Sequence, residues 1–177
     1  MSNREALREL QSRLALRLQQ ARTETRVQSW LAVECAGAGL LLPLATAGEI
    51  FAVGKVLPVP HTAAWFLGVA NLRGGLHGVV DLAAFLGLRA AIGMDAVREH
   101  SQLLAFNATS GPNCAVLIDG LAGLRSALQL QPRPQPDDSA PRPGFAGARW
   151  GDADGRVWQE IDLAALARNE HFLAIAA

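Results

Sequence analysis

Two adjacent glycines, Gly74 and Gly75, set between short apolar runs, constrain this chain more than any other feature. Gly68-Val-Ala-Asn-Leu-Arg73 precedes them and Leu76-His-Gly-Val-Val-Asp81 follows. The pattern reads as a β-hairpin, because adjacent glycines supply the positive φ that a two-residue loop requires. Arg73 then stands at the shoulder of the turn. Asp81 ends the second strand and precedes Leu82-Ala-Ala-Phe-Leu86, so its carboxylate predicts the N-cap of a short helix. Gly87 predicts the stop.

The same order recurs near the end of the chain. Phe145 to Trp150 reads as a strand, Gly-Asp-Ala-Asp-Gly as a turn, Val157 to Ile161 as a strand, and Asp162-Leu-Ala-Ala-Leu as a helix start. Asp162 lies 81 positions after Asp81, which suggests two barrels built on one plan. Chance similarity between Ala- and Leu-rich segments is the competing explanation.

Between these landmarks, Trp30 to Val33 and Leu40 to Leu44 predict a second hairpin about Gly37-Ala38-Gly39. Ile50 to Val56 continues the sheet until Pro58 and Pro60 end pairing, and Ala63 to Leu67 predicts one helical turn. Residues 89–100 read as a loop, near which one barrel is expected to give way to the other. Ser101 to Asn107 and Cys114 to Asp119 are further strands; Leu121 to Leu130 fits either a strand or a short helix by its leucine spacing. Gln131 to Gly144 holds five of the nine prolines and predicts an exposed loop. At the N-terminus, Leu7, Leu10, Leu14, Leu18 and Ala21 fall at helical spacing opposite Arg4, Arg8, Arg13 and Arg17. Residues 1–28 are therefore expected to be a helical extension and residues 29–177 the folded domain. The leucine stripe suits either docking on its own domain or a partner.

Charge and motifs narrow the function. Sixteen basic and sixteen acidic residues cancel, and there is no tyrosine, so a nucleic-acid-binding barrel with a basic, aromatic face is disfavoured. The four histidines are scattered, and neither Cys35 nor Cys114 has a ligand neighbour at zinc spacing, so no metal is expected. The glycine-rich stretch from Gly68 to Gly78 lacks the Gly-Lys end of a phosphate cradle. Asp152 and Asp154 lack the rest of a calcium loop, and Asn107-Ala-Thr109 is a sequon without secretory context. No cofactor is expected, and with few convergent titratable groups the chain does not read as an enzyme. Neither a secretory leader nor an apolar run long enough to span a bilayer is visible. Two isolated cysteines in apolar runs suit a reducing, cytoplasmic setting.

Taken together, Pro58-Val-Pro60, Trp65-Phe-Leu-Gly68-Val-Ala-Asn71-Leu72-Arg73-Gly74 and Val79-Val80-Asp81-Leu82, with Glu49-Ile50 upstream, resemble the signature of the CheW-like adaptor family. The N-terminal extension and Ala-rich composition are similar to the pilus-linked adaptors of twitching motility. The resemblance implies an all-β fold of two SH3-like, five-stranded barrels, ended by a short helix. It implies a non-enzymatic adaptor, associated with membranes only through receptor arrays, that couples a methyl-accepting chemoreceptor to a CheA-like histidine kinase. In the family the first barrel meets the kinase and a groove near the inter-barrel seam receives the receptor tip.

By the same resemblance Glu49, Gly68, Asn71, Leu72, Arg73 and Gly74 match partner-contact positions, while Asp81 and Leu82 look architectural. Read from the residues alone, Arg73 has two uses: a guanidinium fork toward a partner, or an internal pair with Asp81 or Glu49. Glu49 is expected at a rim, since a lone charge among apolar residues is costly. Ala70, Gly75 and His77 depart from the family pattern around the hairpin, which implies a retuned surface. A CheW-like packing component without kinase coupling is the alternative within the family.

Overall fold

The computed structural model describes residues 28–107, 111–136 and 141–177. The helix expected over residues 2–21 lies outside the described residues. Eleven strands follow in order: β1 (Ser29–Cys35), β2 (Ala38–Pro43), β3 (Ala47–Ala52), β4 (Phe66–Leu72), β5 (Gly75–Asp81), β6 (Gln102–Phe106), β7 (Cys114–Ile118), β8 (Gly120–Ser126), β9 (Gln131–Arg133), β10 (Ala146–Gly151) and β11 (Val157–Ile161). The short helices are α1 (Leu82–Phe85), α2 (Leu163–Leu166) and α3 (Glu170–Leu173).

Two sheets share one plan. The first runs β8-β1-β2-β11-β10-β9 and the second β3-β6-β7-β5-β4. In the second, β5 lies parallel to β7 while the other pairs are antiparallel; in the first, β11 lies parallel to β2 in the equivalent place. Closure is also shared. In the second sheet the chain beyond β3 bridges to β4 through Leu57 and Val69, with both N–H···O distances at 2.8 Å. In the first, β8 passes through a 3-10 turn (Ala127–Gln129) into β9, which pairs with β10. These contacts make each sheet a five-stranded barrel, with β8 and β9 acting as one bent strand and no long edge left open.

The repeat read in the sequence is physical. Asp81 Oδ1 accepts from the Ala84 amide, and Asp162 Oδ1 accepts from those of Ala164 and Ala165. Each capping residue also donates its own N–H at 2.8 Å to an equivalent carbonyl, of Trp65 and Phe145 respectively. Gly87, at φ +69°, ends the turn after α1.

Four boundaries differ from the sequence reading. The chain changes sheets between Pro43 and Ala47 and again between Ile118 and Gly120, not near 88–100; that segment is a strand-free connection from α1 to β6. The first barrel is thus assembled from both ends of the chain, an arrangement invisible to a linear boundary search. Ala63 to Trp65 is a single turn, closed by the Phe66 amide on the Ala63 carbonyl, and Phe66 and Leu67 already belong to β4. The segment from Leu121 ends as a strand at Ser126, where the Gln129 side chain accepts from the Ser126 amide and starts the 3-10 turn. Gln131–Arg133 is a strand rather than part of the loop, and Pro132 is tolerated because β9 is outermost.

Three apolar clusters form among the described residues. Trp30, Ala32, Leu41, Leu130 and Trp158 fill the first barrel, and Leu67, Val79, Leu103, Ala115 and Leu117 the second. Between them lies a seam containing Leu31, Val33, Leu42, Leu104, Val116 and Ile118. Strands β1 and β2 therefore bury both faces, which explains their unbroken apolar runs. Glu160 holds three polar tips in place, accepting from Trp30 Nε1 at 3.0 Å, Trp150 Nε1 at 3.3 Å and Gln28 at 3.2 Å.

One ionic bridge ties the barrels. Arg89 donates to Asp81 Oδ1 at 2.8 Å and to Asp119 Oδ1 at 2.7 Å, and Asp119 Oδ2 accepts from the Ala36 amide in the β1–β2 turn. Burial opposes ionisation of Asp119, but the hydrogen bonds from Arg89 and Ala36 and the guanidinium charge override it. Its carboxyl is held below the ordinary value. Burial pushes both thiols up to about 12, so Cys35 and Cys114 are protonated core residues.

Candidate functional surface

The hairpin turn is built one residue earlier than the glycine pair suggests. Leu72 pairs with Gly75, so the two loop residues are Arg73 at φ +52° and Gly74 at φ +84°, while Gly75 opens β5. Two positive φ values in succession give the primed turn that matches strand twist. Asn71 Oδ1 accepts from the Gly74 amide at 2.8 Å and so braces the loop. Arg73 is at the tip rather than the shoulder.

From there the guanidinium reaches across to β3, where Arg73 Nη1 lies 2.6 Å from Glu49 Oε1. The two side chains are 76% and 52% exposed, so the pair is a surface feature with open donors. Asp81, the other internal partner considered, is fully buried and taken by Arg89. Beside the ion pair is a hollow of about 430 Å³ lined by Phe51, Leu72, His77 and Phe106. Leu76, opposite Asn71 in the hairpin, is 65% exposed.

Not every residue expected at this surface reaches it. Glu49, Asn71, Arg73 and Gly74 are exposed together; Leu72 is buried in the second barrel's core, and Gly68 is buried as well. Gly68 sits at φ +134°, and a Cβ there would run into the Leu57 carbonyl that closes the barrel. Gly68→Ala is expected to cost roughly 2 kcal/mol or more, from left-handed strain and loss of the bridge. Chemical denaturation checks this, and unchanged stability contradicts it. Leu82 is buried beneath the α1 cap.

A second surface was not anticipated residue by residue. In β3, Ile50 pairs with Leu104, whose side chain enters the seam. In β8, Leu121 and Leu124 pair with Val33 and Leu31, which also enter the seam. Cross-strand partners share a face, so Ile50, Leu121 and Leu124 point toward the seam at its margin. They remain 38%, 42% and 61% exposed. Only the strand register shows this, because β8 carries an extra residue, Ala122, opposite the Ala32/Val33 step of β1, which disrupts simple alternation.

Among the described residues no cluster of three metal-ligating side chains occurs, and no helix is long and apolar enough to cross a membrane. A family model, described as "CheW-like domain", matches residues 29–171. The chain belongs to the CheW-like family. Relatives agree: Protein PilI of Pseudomonas aeruginosa is 35% identical over 63 residues, covering 34% of this chain and 35% of its own. Chemotaxis protein CheW of Rhizobium meliloti is 31% identical over 80 residues, covering 45% and 48%. The chain thus spans from about a third to about half of these relatives' lengths. The scaffolding protein TtCheW from Thermoanaerobacter tengcongensis superposes with a TM-score of 0.63 over 80% of this chain and 88% of that one. Its 17% identity makes it evidence for the two-barrel CheW-like fold alone.

Proposed function

We propose that this CheW-like chain is a cytoplasmic signalling adaptor that holds a methyl-accepting chemoreceptor and a CheA-like histidine kinase in register, in chemotaxis or pilus-mediated motility. The observation that carries the reading is the Arg73–Glu49 pair, exposed on a tip whose backbone conformation does not call for arginine. A primed turn favours Asn or Gly at its first loop position. The side chain is therefore accounted for by what it contacts rather than by the turn.

On this reading the hairpin tip (Glu49, Asn71, Arg73, Gly74) meets the kinase; because it belongs to the second sheet, the kinase face moves from the first barrel, where the resemblance put it, to the second. In order of strands along the chain that barrel contains β3 to β7. The apolar margin formed by Ile50, Leu121 and Leu124 takes the receptor's helical tip, since exposed leucines beside a packed core are suited to a helix's apolar stripe. Nothing here requires catalysis: coupling is simultaneous occupancy of two surfaces on one rigid body.

Separate surfaces predict separable losses. Leu124→Asp is expected to weaken capture of receptor-containing membranes at least about tenfold while leaving kinase binding unchanged, because a charge is placed in a desolvated contact. Co-sedimentation with each partner measures both. Equal loss of both partners from a folded variant, or loss of neither, contradicts the assignment.

A further inference from the structure

The seam has a second margin, on the β11 side of the β1–β2 pair, where β8 lies on the other side. An open groove of about 660 Å³ runs there, between α1 with the residues after it and the β10–β11 hairpin. Its floor is apolar, formed by Leu40, Phe85, Phe145 and Ile161. Leu88 and Val157 stand at its sides, each 41% exposed. It shares no residue with the hairpin tip or with the Ile50–Leu124 margin.

Among the described residues the charged side chains that line the groove are Arg149 and Arg156, and no Asp or Glu lines it. Arg156 is already engaged, 2.7 Å from Glu34 and stacked over Trp158. Arg149 has no carboxylate partner among the described residues. At the groove's end, Asn169 accepts from the Phe172 amide and His171 stacks on Phe85, so these two residues are held by the fold.

Backbone geometry limits what can bind. Strand β2 is paired with both β1 and β11, and β11 with both β2 and β10. Neither offers a free edge for an added strand, so an occupant must dock through side chains. An apolar floor with the Arg149 guanidinium beside it suits a helix laid in a groove. We infer that this groove docks an acidic amphipathic helix of a partner protein, its apolar stripe on Leu88 and Val157 and a carboxylate on Arg149. This is a third docking surface, independent of the two that the adaptor reading uses.

The test places the photocrosslinker p-benzoylphenylalanine at position 157 of the full chain in its own cells, and the crosslinked peptide is sequenced by mass spectrometry. A synthetic copy of that peptide is then titrated against purified protein by fluorescence anisotropy. The expected peptide has leucine-type residues at helical spacing flanked by Asp or Glu, and Arg149→Glu weakens its binding about tenfold or more. Replacing the peptide's acidic residue with Arg restores affinity for the Arg149→Glu protein. Circular dichroism checks that this substitution at a half-buried position leaves the fold intact. No crosslink, a crosslinked peptide without acidic residues, or affinity indifferent to Arg149→Glu overturns the inference. Repeating the crosslink in Leu124→Asp and Arg73→Glu backgrounds separates it from the adaptor reading, because the yield at position 157 is expected to be unchanged in both.

Discussion

Arg89→Ala is expected to destabilise the protein by about 3–5 kcal/mol. The reason is Asp81. Its carboxylate is fully buried, Oδ2 has no hydrogen-bond partner, and Arg89 is the cation beside it. Removing the guanidinium leaves an uncompensated buried charge next to the α1 cap and frees Asp119 from the barrel junction. The pH dependence has a definite sign. Because Asp119 titrates below its unfolded value, its contribution is present above roughly pH 4 and is lost as pH falls through the folded value. Arg89→Ala removes the main partner that lowers that value, so the Asp119 share of acid destabilisation shrinks in the mutant. Urea unfolding at pH 7 and pH 3 measures both. A loss under about 1 kcal/mol at pH 7 contradicts the bridge's importance.

Arg73→Glu is expected to abolish kinase coupling while changing stability by less than about 1 kcal/mol, since an exposed ion pair contributes little. Arg73→Asn is the sharper control. Asparagine suits the left-handed conformation at φ +52°, so this variant is expected to fold at least as well as wild type and still to lose coupling. The exchange Glu49→Arg with Arg73→Glu rebuilds the internal pair with its polarity reversed. If Arg73 contacts the kinase, the exchanged protein stays uncoupled; if the pair only braces the hairpin, coupling returns. Kinase activity in receptor-containing membranes distinguishes these results.

How much of this was legible in the chain depended on whether the determinant was local. The hairpin, both Asp caps and the recurring strand-turn-strand-Asp plan were visible because turn residues and caps act within a few positions. The same local reading misplaced the turn by one residue. Two glycines in sequence offered two registers, and the pairing of Leu72 with Gly75 decides between them. Features made by contacts distant in sequence were hidden. Arg89 stands in a stretch without periodicity, and its partners Asp81 and Asp119 lie 8 and 30 positions away. The crossing between sheets was likewise obscured, since the first barrel takes strands from both ends of the chain. At the surface, Arg73 and Glu49, both named by the family resemblance, lie in one patch, while Gly68 and Leu72 are buried beneath it. Those two positions match a motif because they shape the hairpin's support. Ile50 read only as half of a Glu-Ile pair; the β3–β6 register is what turns it toward the seam.

If one rigid body carries two partners at once, ternary reconstitution reveals it. Purified chain, a CheA-like kinase and receptor-containing membranes are sedimented together, with Arg73→Asn and Leu124→Asp proteins alongside. Wild type is expected to bring the kinase to the membrane fraction, Arg73→Asn to retain receptor but not kinase, and Leu124→Asp to retain kinase but not receptor. Folded wild-type protein that sediments with neither partner, or variants that bridge as well as wild type, would contradict it.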